Sequence, residues 1–283
     1  MQIKRVGIVG CGTMGSGISV ACAQSGFPLL VSEVSNELLD KGKRSIDSIL
    51  TKSVERGKVS QPDKDAMMSR IKFTTDLKDF SDCDLIIEAA VEKMEIKKKI
   101  FAELDKVCPK HAILGTNTSS LPIIEMAVVT SRPEKVLGLH FSNPAYVMKI
   151  LEVVRTIATD DEALAIAKDF GKSLGKTAVV AKDVAGFIGS RLLVPYLLQA
   201  IRMLENGEAT RDDIEAIQTL GVNHPMGPFT LADFTGLDIL LATANIMYEE
   251  YKQPMFAAPP LLKRMVDAGW LGRKTKKGFF EYK

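Results

Sequence analysis

Of the three histidines in this chain of 283 residues, His140 has the neighbours that suit proton transfer. It follows the apolar residues Val136, Leu137 and Leu139 and opens a polar, Pro-marked turn, His140-Phe141-Ser142-Asn143-Pro144. Glu152 comes twelve residues later, inside a second apolar run, Ile150-Leu151-Glu152-Val153-Val154. A carboxylate in the middle of a strand-like run is costly to bury unless a partner pairs it. A histidine is the natural partner, because an adjacent carboxylate fixes the imidazole tautomer and raises its basicity. The two form a candidate general base. A buried histidine satisfied by surrounding carbonyls would leave the same trace in the sequence, and the residues alone hold the two readings level.

The N-terminus offers a site for an oxidising cofactor. Lys4-Arg5-Val6-Gly7-Ile8-Val9-Gly10 reads as a short buried parallel strand. It ends in Gly10-Cys11-Gly12-Thr13-Met14-Gly15, a G-x-G-x-x-G motif. Small and apolar residues at helical spacing follow over 14–25, and Gly26 stops that helix. A second strand over 28–32 ends at Glu33, 23 residues after Gly10. Glycines there allow the tight turn and let a pyrophosphate approach the backbone, while the helix N-terminus supplies amides and positive potential. An acid at this spacing suits a ribose 2′-hydroxyl and repels a 2′-phosphate, so NAD is expected over NADP. The competing reading is a glycine turn with no ligand. The complete order of strand, turn, helix, strand and acid weighs against it.

Further elements must place these two features on one edge. Residues 35–70 are helical and rich in cations, and Gln61-Pro62-Asp63 is expected to break them into two helices, an inserted arm. Its basic face reads as a solvated surface, or as a hold for a phosphate-bearing ligand. Asp84-Leu85-Ile86-Ile87-Glu88-Ala89 is a buried strand ending in acid, and 92–107 a basic amphipathic helix. Ala112-Ile113-Leu114-Gly115 is a strand whose end delivers Thr116-Asn117-Thr118-Ser119-Ser120 to the edge that carries the glycine loop. Ser119 or Ser120 could meet a ligand there, or cap a helix beginning near Pro122. A helix over 159–175 and a strand over 177–181 follow, and helices dominate thereafter. The fold class expected is α/β: a Rossmann-type, doubly wound, mostly parallel sheet with a helical-arm insertion over 1–184. An all-α domain over 185–283 follows it. In that domain 187–206 is a long helix with Pro195 a kink, Thr210-Arg211-Asp212-Asp213 resembles a capping box, and His224 is a turn residue. Its apolar content exceeds the needs of its own core, which points to a homodimer.

Composition narrows the function classes. The chain is 46% hydrophobic and 25% charged with net charge +2, so nothing draws it to nucleic acid. No apolar stretch approaches the roughly 20 residues that span a bilayer, so no membrane partner is expected. Residues 3–10 lead directly into the glycine motif rather than forming a signal peptide. Cys11, Cys22, Cys83 and Cys108 have no CxxC or metal-type spacing and read as reduced thiols of a cytoplasmic protein; no metal site is expected.

The motifs GIVGCGTMGSG, Glu33, IIEAAVE, TNTSSL, GLHFSNP with EVV, GFIGSRLLVPYLLQAIRMLENG, HPMGPFTLADFTGLD and LGRKTKKGFFEY resemble the short-chain L-3-hydroxyacyl-CoA dehydrogenases along essentially the whole chain. The resemblance is greatest to the bacterial 3-hydroxybutyryl-CoA dehydrogenase type. It implies His140 as the catalytic base, Glu152 as the acid that orients it, and Ser119 and Asn143 beside the substrate oxygen and nicotinamide. It also implies dinucleotide contacts from the glycine loop, Glu33, Glu92, Lys97 and Lys274. Arg56 falls loosely where the family holds coenzyme A, and an acyl-CoA thioester is the substrate implied. Four positions depart from the family pattern, among them Ala185, where the family carries Pro before Gly-Phe. Ser142 and Tyr146 replace apolar or Pro residues, and Ser190 stands where the family carries Asn. These leave base and cofactor intact and make the acyl group the open question. Two other classes remain: an NAD-dependent dehydrogenase of a free hydroxy acid or polyol such as L-gulonate, and a non-catalytic NAD-binding protein, which would need no His140–Glu152 pair.

Overall fold

The computed structural model describes residues 2–283 and divides the chain into one unit ending at Asp183 and another spanning Val184–Lys283. In the first unit the fully apolar runs become strands covered on both faces. β1 (Val6–Val9) leads through α1 (Thr13–Gln24) to β2 (Leu29–Ser32). α2 (Asn36–Glu55) and α3 (Gln61–Ser69) then precede β3 (Ile71–Thr74). β4 (Leu85–Glu88), α4 (Met94–Val107), β5 (Ile113–Thr116) and the short α5 (Ile124–Ala127) continue the winding. β6 (Val136–Phe141) and β7 (Ile150–Arg155) pair antiparallel, and α6 (Asp161–Ser173) carries the chain to β8 (Thr177–Lys182). The sheet order is β3-β2-β1-β4-β5-β6-β7-β8, parallel at every other pairing. Its first six strands have the dinucleotide-binding order, whose ligand crevice lies beyond the carboxyl ends of the strands where the order reverses. Here that point is between β1 and β4. Ile8, Ile18, Val31, Ile46, Leu85, Ile113, Leu139 and Val153 are fully buried and form the centre of the core.

Three local features differ from the sequence reading, each for a physical reason. β3 has no counterpart in that reading: it is a four-residue edge strand containing Lys72, too short and too polar to stand out. The arm breaks earlier than Gln61-Pro62-Asp63. Those residues are the first turn of α3, capped by the Ser60 side chain, which accepts the Asp63 amide at 3.2 Å. Proline lacks the N–H that a first turn leaves unpaired anyway, so it starts this helix rather than ending one. Neither Ser119 nor Ser120 caps α5. The Asp183 carboxylate does, accepting from the amides of Ile123 at 3.0 Å and Ile124 at 2.8 Å.

The second unit is helical: α7 (Gly189–Glu205), which contains Pro195, α8 (Arg211–Ala216), α9 (Pro228–Thr235), α10 (Leu237–Tyr251) and α11 (Pro260–Asp267). Leu198, Ile201, Phe229, Leu237, Met247 and Leu262 are its fully buried centre. Thr210 caps α8 by accepting the Asp213 amide at 3.2 Å, and its hydroxyl donates to the Asp213 carboxylate at 2.5 Å. The buried Asp233 accepts from the amides of Phe279 and Phe280 and from the Tyr282 hydroxyl, each at 2.9 Å, which pins the C-terminal segment. Burial and that carboxylate push the Tyr282 phenol up to about 12. His224 is an exposed turn residue edge-on to Tyr196. Among the described residues no single helix is long and apolar enough to cross a membrane.

Candidate active site

The glycine loop has a closed inner wall and an open outer face. Gly10 has φ 95°, and a Cβ there would stand 2.7 Å from the Ala89 carbonyl oxygen. A Cβ on Gly15 would stand 1.9 Å from the carbonyl oxygen of Gly10. Both glycines are therefore demanded by the protein's own packing. Gly12 differs: a Cβ there would meet no atom within 4 Å. Nothing in the protein requires its bareness, so the open space suits a group that presses against the backbone. The exposed Gly12 and Thr13 lie where α1 begins, with the amides and positive potential that favour a pyrophosphate. Glu33 sits beside this face, with Oε1 accepting the Cys11 amide at 2.7 Å and Oε2 the Val34 amide at 3.2 Å. These residues fit a dinucleotide with an unphosphorylated ribose. Cys11 is a correction within the motif. Its amide is taken by Glu33, and its buried thiol lies 3.6 Å from the Ser16 hydroxyl, so it shapes the loop from beneath rather than facing a ligand. Met14, half-buried, likewise packs its side chain against the core.

His140 is the penultimate residue of β6, not the opening of a turn. Antiparallel pairing sets it directly opposite Glu152, so both side chains leave the sheet on one face. His140 Nδ1 lies 2.7 Å from Glu152 Oε2. The His140 side chain is 16% exposed and that of Glu152 9%, so the pair is partly withdrawn from water with the ring still accessible. An ionised carboxylate accepts at Nδ1 and therefore fixes the proton there, which makes Nε2 the basic nitrogen. Because β6 runs parallel to β5 and β1, the pair sits toward the same sheet edge as the glycine loop.

Between these features lies the exit of β5. Glu92 accepts from the Thr118 hydroxyl and, at 3.3 Å, from the Ser119 amide. Behind it, Lys97 is 1% exposed and its ammonium bonds Glu88 at 2.7 and 2.9 Å and lies 3.3 Å from Glu92. Glu88 also accepts from the Ala90 amide and the Thr116 hydroxyl, both at 2.7 Å, so this buried pair is fully hydrogen-bonded. Lys97 is thus withdrawn from the surface, and the expectation of a direct dinucleotide contact becomes support for Glu92. Sequence reasoning missed Glu88 as part of the site. The signal was available, since an acid ending an apolar strand must be paired, as Glu152 is.

Other expected site residues fall into two groups. Ser119 and Ser142 are half-buried and Asn143 exposed, all on segments leaving the same edge. Tyr146 is corrected: its ring packs on the core, with Cδ1 3.7 Å from where a Cβ on Gly17 of α1 would stand. That accounts for an aromatic there without a substrate. Arg56 is exposed at the C-terminal end of α2. In the second unit Lys274 pairs with Asp238 at 2.5 and 2.6 Å, and Ser190 is in the first turn of α7. Asn117, expected on this edge, turns back to the backbone, and one further side chain at the site, Lys176, was missed. Asn117 Oδ1 accepts the Phe141 amide at 2.9 Å, extending the β5–β6 pairing past the last ladder pair, Thr116 with Gly138. Lys176 lies under the loop after β6. Lys176 carries no sequence signal, because it acts on backbone groups distant in the chain.

Residues 5–184 match the NAD binding domain of 3-hydroxyacyl-CoA dehydrogenase, and residues 186–282 match its C-terminal domain. A 3-hydroxybutyryl-CoA dehydrogenase of Mycobacterium tuberculosis is 47% identical over 282 residues, 99% of each chain. The crystal structure of M. tuberculosis FadB2 has a TM-score of 0.99 at 46% identity and covers 100% of both chains. That of the (S)-3-hydroxybutyryl-CoA dehydrogenase PaaH1 from Ralstonia eutropha has a TM-score of 0.94 at 38% identity, again over 100% of both.

Proposed function

The chain belongs to the 3-hydroxyacyl-CoA dehydrogenase family, and from that premise we propose that it interconverts (S)-3-hydroxybutyryl-CoA and acetoacetyl-CoA with His140 as base. The observation that carries this reading is the 2.7 Å contact of His140 Nδ1 with Glu152, set by strand register at the edge shared with the glycine loop. NAD, when bound, supplies the acceptor for the hydride that leaves C3. Gly12 and Thr13 would hold its pyrophosphate on the turn that Gly10, Met14 and Gly15 shape, and Glu33 its ribose, with Glu92 supported by Lys97 and with Lys274 as further contacts. His140 removes the C3 hydroxyl proton at Nε2, and returns it in the reverse direction. Glu152 keeps the imidazole oriented and stabilises its cation. General-base action of this kind is worth about 10²–10⁴-fold. Ser119 and Asn143 hydrogen-bond the C3 oxygen as its charge changes. Arg56 would attract the phosphates of coenzyme A, and Ser142 and Ser190 would line the acyl end.

The working molecule is a homodimer formed through the helical unit, supported by exposed apolar residues there such as Leu192, Ile217 and Leu220. It works in the cytoplasm, a placement supported by four buried, unbridged cysteines. The test of the function is loss of NADH absorbance with acetoacetyl-CoA, then with longer and dicarboxylic 3-oxoacyl-CoAs, and with L-gulonate and NAD. Fast turnover of acetoacetyl-CoA supports the proposal. Activity on another thioester alone would move the substrate and make Ser142 and Ser190 its determinants. Activity on the free hydroxy acid alone overturns it.

A further inference from the structure

We propose that Lys176 is a positioning residue for the base: its buried ammonium holds the loop that leaves the catalytic strand. The inference rests on the role given to His140 above. Lys176 is 7% exposed, and its Nζ donates to the carbonyl oxygens of Ala145 and Met148, each at 2.6 Å. It also stands 5.6 Å from the centroid of the Phe141 ring, the residue next to His140. No carboxylate pairs with it among the described residues. Burial pushes this amine below the usual lysine range. Taking an ammonium out of water without an acid partner is unfavourable, and filling the same space with an apolar chain would avoid that cost. What the lysine adds is two short bonds to one loop.

Elsewhere the loop is held by the Tyr146 ring, which packs on the core, and by the Lys149 carbonyl, which accepts the Thr177 amide at 2.7 Å. Among the described residues Lys176 alone bonds the carbonyls of Ala145 and Met148. The amides of Val147 and Met148 bond only back to Pro144 within the loop, at 2.9 and 3.0 Å. Ala145 is buried, 3.5 Å from where a Cβ on Gly17 of α1 would stand. Asn117 fixes the start of the segment at the Phe141 amide, and Lys176 fixes its far end. Between the two clamps lie Ser142 and Asn143, and His140 stands immediately before the first. The buried Lys176 ammonium is occupied by the loop carbonyls, so its effect passes through the placement of His140 and Asn143. A displacement on the order of 1 Å at such groups can cost about 10²-fold.

The test compares Lys176→Met and Lys176→Gln with the wild-type enzyme. kcat for acetoacetyl-CoA is measured per folded site, counted by NADH titration. The wild type is assayed first, so absence of turnover there overturns the substrate reading rather than this one. We expect Lys176→Met to lose at least about tenfold in kcat with NADH affinity within about threefold. Should Lys176→Met give no folded protein, Lys176→Gln decides, because its amide falls one bond short of the two carbonyls. It should then lose at least about threefold in kcat at the same NADH affinity. Smaller losses overturn the proposal. So does a fall in NADH affinity that parallels the fall in kcat, which marks general damage to the fold.

Discussion

At the scale of single residues, the tautomer of His140 is what Glu152 controls. A glutamine at 152 can present its NH₂ to Nδ1, which places the imidazole proton on Nε2 and removes the basic site. Glu152→Gln should therefore lower kcat by about 10²-fold or more while NADH affinity stays within about threefold. Steady-state assays and fluorescence titration check this, and an unchanged kcat contradicts the orienting role. The pair was legible in the sequence because an acid inside an apolar run demands a partner. What was not legible is the reason the two meet. Antiparallel register sets them opposite each other, whereas the Pro-marked segment reads as a turn that starts two residues too early. Lys97 and Tyr146 also misled, since a one-dimensional motif does not reveal that a side chain points into the core.

At the scale of elements, the glycine turn between β1 and α1 separates packing from binding. Gly12→Ala introduces a methyl that meets no protein atom, so the urea midpoint should be unchanged while NADH binding weakens at least about tenfold through loss of close approach. Gly15→Ala drives a methyl against a carbonyl oxygen and should cost about 1–3 kcal/mol of stability. Equal behaviour of the two variants in urea and in NADH titration contradicts the assignment. This unit was legible because strand, turn, helix and acid are contiguous. The cap on α5 was not, because Asp183 joins it from about 60 residues away. Short edge strands such as β3 escape for another reason: four residues with one lysine carry too little pattern.

At the scale of the whole molecule, three carboxylates tie distant segments together and set its response to acid. Burial pushes each of them up, and hydrogen bonds outweigh it. The Ser131 amide and the Arg132 guanidinium hold Asp105 below the usual range; His111 and the amides of Lys4 and Arg5 do so for Asp84; the Ala163 amide and Lys135 for Asp160. Depressed folded-state values mean that this stability is fully present above the ordinary carboxylate range, near pH 4. It is lost as pH falls through the lower folded values. The urea midpoint should fall below about pH 4, and Asp105→Asn should flatten part of that fall. An identical pH response in the variant contradicts the account. Domain order and cofactor class were readable from the sequence at this scale, because both rest on contiguous motifs. The long-range clamps were not, because they act through backbone groups that leave no residue pattern. The proposed role of the cross-strand pair His140–Glu152 as the base of an NAD-linked thioester dehydrogenase joins all three scales. Turnover of acetoacetyl-CoA at saturating NADH by wild type and His140→Gln tests it most directly. Brisk wild-type turnover, a loss of about 10²–10⁴-fold in the variant and unchanged NADH affinity are expected. Near-normal turnover by His140→Gln would contradict it.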